Sequence, residues 1–292
     1  MSMAQVIGLL PDHDLLKVER EFDYTEADFE EVRRLIYERA GISLSTSKQD
    51  LVYGRLARRL RALRVPSFAA YLAVLQRPES EEWEHFTNAL TTNLTAFFRE
   101  RHHFEMLAAE LRAHAGERAM RIWSAASSTG EEPWSIAITV AETLRRATDE
   151  VRILATDIDS KVIEHGRAGV YAIERVDALD DALRRRYFQR GSGPHAGKVR
   201  IVPGLRSMVS FRRLNLLDEA WPMRHRFDAV FLRNVLIYFD KATQAHLLSH
   251  LANVIEPGGV LFLGHSESPP MDRQVFTPIG RTAYRVGGRR HG

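Results

Sequence analysis

Three carboxylates, Glu131, Glu132 and Asp157, carry the first chemical signal in the chain. Asp157 closes the apolar run Val151, Ile153, Leu154 and Ala155. An acid at the end of a buried strand can accept hydrogen bonds from both hydroxyls of a ribose, so a nucleoside ligand is the first hypothesis. Glu131 and Glu132 follow directly on Gly130 in SSTGEE. A dinucleotide site calls for GxGxxG, because the pyrophosphate must lie against backbone at a helix N-terminus, and two carboxylates behind a single glycine would repel it. The same pair tolerates a cationic ligand, and S-adenosylmethionine carries a sulfonium, an ammonium and a ribose. Two acids at this position also serve simply to complement the positive end of a helix dipole, and the local pattern leaves both readings open.

Two further stretches bear side chains suited to a ligand. TTNLTAFFRE offers Asn93, Thr95 and Arg99 beside Phe97 and Phe98, either as a segment folding over a ligand or as ordinary caps with aromatic anchors. In FDAVFLRNVLIYFD, a strand over 227–232 puts Arg233 and Asn234 at its carboxyl end, and Ile237, Tyr238 and Phe239 then cover the site. Tyr238 could equally be a packed aromatic with its hydroxyl at the surface.

The elements that must position these groups follow from periodicity. Residues 122–126 form a short apolar strand that turns at Gly130, and Pro133 suits the first turn of the helix that follows. Ile136, Ala137, Val140, Ala141 and Leu144 recur at helical spacing, and the second strand ends at Asp157. This is a βαβ unit of an open α/β sheet, where ligands sit beyond the carboxyl ends of the strands. Upstream, Thr25 and Gly41 bracket a helix, and a second helix over 48–63 carries Leu51, Val52, Leu56, Leu60 and Leu63 for a core. Arg55, Arg58 and Arg59 share a face of it, with Arg61 nearby, forming either a solvated basic ridge or a dock for an acidic partner. Two more helices, from Ser67 and from Glu81, complete an all-helical domain over 25–92.

An α/β domain over 93–286 follows, with a small β-hairpin insertion at about 190–212, a turn at 257–259 and a final hairpin. Residues 1–24 and 287–292 read as flexible tails. With 292 residues, 45% hydrophobic and 27% charged, the chain can build real cores. It has no cysteine, which excludes disulfides, thiolate metal ligands and a cysteine nucleophile, and no metal-ligand spacing stands out. There is no apolar run long enough to span a bilayer and no signal peptide pattern, so a cytoplasmic protein without membrane insertion is expected. A net charge of +3 is too small to argue for nucleic acid.

Taken together, TTNLTAFFRE, IWSAASSTGEEPWSIAI, ATDID, NLLD, FDAVFLRNVLIYFDKATQ and GGVLFLGHSES resemble, in order, the chemotaxis receptor glutamate methyltransferases, the CheR family. The resemblance covers roughly residues 25–286. It implies a Rossmann-like S-adenosylmethionine-dependent methyltransferase domain behind the helical domain, methylating glutamate side chains on the cytoplasmic helical bundle of chemoreceptors and releasing S-adenosylhomocysteine. It implies cofactor contacts at Asn93, Thr95, Arg99, Glu131, Glu132, Asp157, Asn215, Leu216, Arg233 and Asn234, and catalytic positions at Tyr238 and Arg99. The basic helix matches the family's receptor-facing one at Arg55, Arg58, Arg59 and Arg61. The insertion matches a subdomain that in some members binds a peptide at the receptor's C-terminus. A substrate glutamate is already an anion at neutral pH, so the transfer needs positioning and exclusion of water rather than a general base.

Three competing readings remain at this level. A nicotinamide-dependent oxidoreductase shares the strand-end acid but lacks the glycines. A methyltransferase for nucleic acid or another protein would also use the basic helix. An inactive scaffold would keep the fold and the partner contacts.

Overall fold

The structure is a computed structural model and describes residues 20–114, 118–145, 150–268 and 272–287; of the expected tails, 1–19 and 288–292 lie outside the described residues. Four helices come first: α1 (Glu26–Ala40), α2 (Gln49–Leu63), α3 (Phe68–Leu75) and α4 (Glu82–Leu90). A capping box starts α1, in which the Asp28 N–H donates to the Thr25 hydroxyl at 3.1 Å and the Thr25 N–H donates to the Asp28 carboxylate at 2.9 Å. Gly41 ends α1 at φ 67°, and a Cβ there would lie 2.2 Å from Leu217 Cδ1. The close approach is where the helical domain meets the rest of the chain. Phe29, Ile36, Val52, Leu56, Leu60, Phe68, Tyr71 and Phe86 fill its core. Leu51 and Leu63, expected in that core, are instead exposed at 37% and 38%. They lie near the two ends of α2, and Leu51 lines the cleft described below.

The second part alternates helix and strand. It begins with α5 (His102–Ala113), β1 (Met120–Ser124), α6 (Glu131–Leu144), β2 (Val151–Asp157) and α7 (Ser160–Ala168). An excursion follows through β3 (Val170–Ala172), α8 (Asp181–Tyr187), β4 (Phe188–Arg190), β5 (Lys198–Ile201) and α9 (Pro203–Arg206). The chain returns as β6 (Val209–Arg213), β7 (Phe227–Leu232), α10 (Lys241–Val254), β8 (Ile255–Leu263), β9 (Phe276–Gly280) and β10 (Ala283–Val286). One sheet runs in the order β6-β2-β1-β7-β8-β10-β9. Its first five strands are parallel, and the closing hairpin is antiparallel. Alternate residues of each central strand enter opposite cores. Ile122, Ala229 and Phe231 pack with α5 and α6, whereas Trp123, Val230 and Leu232 pack with α10. Burial on both faces is what the near-continuous apolar run of β7 encodes.

Two expectations need revision. The insertion is not a hairpin over 190–212: it is a three-stranded antiparallel sheet, β3-β5-β4, that begins at Val170. The apolar run 208–214 supplies β6, which pairs with β2 at the edge of the main sheet because Val209 and Phe211 are buried against that sheet's helices. The 257–259 turn lies within β8, where pairing slips from Phe227↔Ile255 to Ala229↔Val260 and Gly258 takes φ 84°.

Candidate active site

Strand order reverses beside β1, and there a cleft of about 540 Å³ opens at the carboxyl ends of β1, β2 and β7. Residues 91–99 and the 42–55 region of the helical domain form its roof. Asp157, 9% exposed, accepts the Ser128 N–H at 2.9 Å and the Asp159 N–H at 3.0 Å. Burial pushes its pKa up to about 6, against the pull of those N–H donors. Glu132 sits deeper, held by the Ser124 hydroxyl at 2.7 Å and by Arg233 at 2.9 Å. Burial raises its pKa, and Arg233 opposes the rise. Arg233 is itself only 5% exposed and also donates to the Arg99 carbonyl oxygen.

Asn93, Thr95, Arg99, Glu132, Asp157, Asn215, Leu216, Arg233, Asn234 and Tyr238 all line this cleft. Glu131 does not. Successive helical residues point about 100° apart, and its carboxylate turns to the Thr129 hydroxyl at 2.6 Å and to Arg175, which also donates to the Thr95 carbonyl oxygen at 2.8 Å. The expected acid pair is therefore split. One acid faces the cleft and the other ties α6 to the segment after β3 and to the roof.

The basic ridge is also partly consumed within the fold. Arg55 donates to the carbonyl oxygens of Leu90 at 3.0 Å and Thr91 at 2.7 Å, satisfying the end of α4 while lining the cleft. Arg59 makes two hydrogen bonds to the buried Glu82, at 2.9 and 2.8 Å, and Arg61 pairs with Glu21. Arg58 is exposed.

Several residues that hold the site went unread in the sequence. Asp159 caps α7 and accepts hydrogen bonds from Thr91 and Asn93, both at 3.0 Å, which fixes the roof segment. Its signal was available, since an Asp before Ser-Lys at a predicted helix start is a capping pattern. Glu267, 3% exposed, accepts the N–H groups of Asn234 at 3.0 Å, Leu236 at 2.8 Å and Gly264 at 2.5 Å. Burial raises its pKa, with those N–H groups opposing the rise. Left-handed backbone clusters around the cleft at Phe98, Glu100, Ser128 and Asn234, with φ between 47° and 58°. Such conformations cost about 1 kcal/mol or more each and persist where the surroundings enforce them. The Ser43 N–H donates to the Tyr238 carbonyl oxygen at 2.8 Å, and Asn215 donates to that of Arg39 at 3.0 Å, so both domains shape the cleft.

Residues 93–285 match the family model for a CheR methyltransferase SAM binding domain, and residues 27–91 match that for a CheR methyltransferase all-alpha domain. The chain is 50% identical to chemotaxis protein methyltransferase 2 of Pseudomonas aeruginosa, over 91% of this chain and 95% of that protein. It is 46% identical to the chemotaxis protein methyltransferase of Salmonella typhimurium, over 92% and 93%, and to that of Escherichia coli, over 92% and 94%. No helix among the described residues is long and apolar enough to cross a membrane.

Proposed function

The chain belongs to the CheR family of chemotaxis protein methyltransferases, with S-adenosylmethionine as cofactor, and from that premise we propose that it forms methyl esters on glutamate side chains in the cytoplasmic helical bundle of chemoreceptors. The observation that carries the choice of acceptor is the lining of the cleft. It includes Lys48, Arg55, Arg99 and Arg233 but no histidine, and of its two acids Glu132 is held by Ser124 and Arg233 while Asp157, with two backbone N–H groups already made, is committed to the ribose in this reading. An acceptor that had to lose a proton would find no free base there. A carboxylate needs none, and its charge is matched by the cations of the lining.

The residues present fit the cofactor. A nearly buried acid at a strand end, its backbone partners already made, keeps acceptor capacity for two ribose hydroxyls, and about 540 Å³ accommodates a nucleoside with an amino-acid tail. When bound, S-adenosylmethionine supplies an electrophilic methyl on its sulfonium. In this reading Asp157 holds the ribose, and Asn93, Thr95, Asn215, Leu216 and Asn234 enclose the rest. Glu132, paired with Arg233, sets the polarity of the floor, and Glu131 supports the site from behind. Arg99 and Tyr238 hold the acceptor carboxylate in line, while the roof keeps water out. Arg58 and Arg61, with Arg55 and Arg59 behind them, face the acidic receptor bundle, and the β3-β5-β4 sheet is the place for a receptor C-terminal peptide.

The test is transfer of labelled methyl from S-adenosylmethionine to receptor-bearing membranes. Label that leaves as methanol at high pH marks a carboxyl ester. Label stable to base, or label on nucleic acid instead, overturns the reading.

A further inference from the structure

Behind the cleft, at the start of α5, three side chains converge that the methyl transfer does not use. We propose that Glu100, His102 and His103 form a binding site for one zinc-class divalent ion. Among the described residues they are the one group of three potential ligands whose ligand atoms all lie within 4.8 Å of one another. His103 has no exposed side-chain surface, and its Nδ1 lies 3.6 Å from Glu100 Oε2. Neither atom has a hydrogen-bond partner, and nor does His102 Nε2, although all three are buried.

The tautomer of His103 sharpens the argument. Its Nε2 lies 3.0 Å from the Thr282 hydroxyl and 3.3 Å from the Arg281 carbonyl oxygen, and the carbonyl can only accept. The ring proton therefore belongs on Nε2, leaving a lone pair on Nδ1 facing a carboxylate oxygen. Two buried acceptors face each other, and neither receives a hydrogen bond. Two ligands on one tetrahedral zinc, at bond lengths of about 2.0–2.2 Å, stand about 3.4 Å apart, close to the separation seen.

Imidazole and carboxylate together suit a borderline ion such as zinc rather than magnesium or calcium. His265, 74% exposed, has its Nδ1 3.9 Å from Glu100 Oε1 and could supply a fourth ligand. Arg233 approaches Glu100 Oε2 at 3.4 Å and competes for it, which limits the affinity. A single water donating to both acceptors is the alternative occupant.

Calorimetric titration of the chelator-stripped full chain with zinc chloride, alongside cobalt(II) absorption, decides between them. His246 and His250, one turn apart on α10 with ring centroids 6.4 Å apart, are a second place where zinc could bind, so H246A is the control. The expected result is one tight equivalent in the native chain and in H246A, with intense tetrahedral cobalt bands. H102A and E100Q, checked for folding by circular dichroism, should weaken that equivalent at least tenfold. H102A is preferred to a substitution at the fully buried His103. The proposal falls if the native chain has no tight equivalent, if both H102A and E100Q retain it, or if H246A abolishes it.

Discussion

Asp157 holds its charge in a place that resists it. With a folded pKa of about 6 against an ordinary carboxyl value near 3.8, the group binds a proton more readily in the native state than in the unfolded one. Its ionisation therefore costs stability, by roughly 3 kcal/mol in full above about pH 6, and the cost fades as pH falls from the folded value to the unfolded one near 3.8. D157N should melt at a higher temperature than the native chain at pH 8, with the gap narrowing below about pH 6 and closing only near about pH 4. The same substitution should weaken S-adenosylmethionine binding about tenfold or more, and native affinity should itself decline as pH drops through about 6, both measured by calorimetry. Tyr238→Phe should slow transfer at least tenfold while leaving the cofactor Kd within about twofold; unchanged turnover would remove the hydroxyl from the reaction. Asp157, Arg233 and Asn234 were legible because strand ends follow from apolar runs, and ligands of such sheets gather at strand ends, whereas Asn215 and Leu216 came only with the family resemblance. The direction of Glu131 was not legible, because it depends on Arg175, a partner brought in by the fold from beyond α7.

At the scale of elements, the buried Glu82 joins three helices. It accepts from Arg59 on α2 and from the Tyr71 hydroxyl on α3 at 2.9 Å while sitting on α4. Removing one partner of a buried pair strands the other, typically at about 3–5 kcal/mol. E82Q should accordingly lower the Tm of the chain by several degrees, with cofactor affinity changed far less at temperatures where it is folded. The sequence marked Arg59 as one of a row of like cations, since spacing along a helix says which residues share a face and not which of them meet a carboxylate from elsewhere. The insertion misled for a related reason. The expected hairpin at about 190–212 takes in the start of β6, yet β5 pairs with β3 and β4 while β6 joins β2. Strand order in an α/β sheet is set by packing across the crossovers, and no local pattern records it.

At the scale of the whole molecule, an excess of only +3 would steer the proposed acidic partner through its placement rather than its size. R58E should lower kcat/KM for receptor-bearing membranes several-fold at low ionic strength, converge toward the native value at high salt and leave cofactor Kd unchanged. A loss that salt does not diminish would argue against steering. The roof of the cleft has a further consequence. Ser43 binds the Tyr238 backbone, Asn215 binds that of Arg39, and the Tyr37 hydroxyl donates to Asp240 at 2.5 Å, so neither half of the chain finishes its own surface. Heating should then produce one cooperative calorimetric peak rather than two, and S-adenosylhomocysteine should move that single peak upward as a unit.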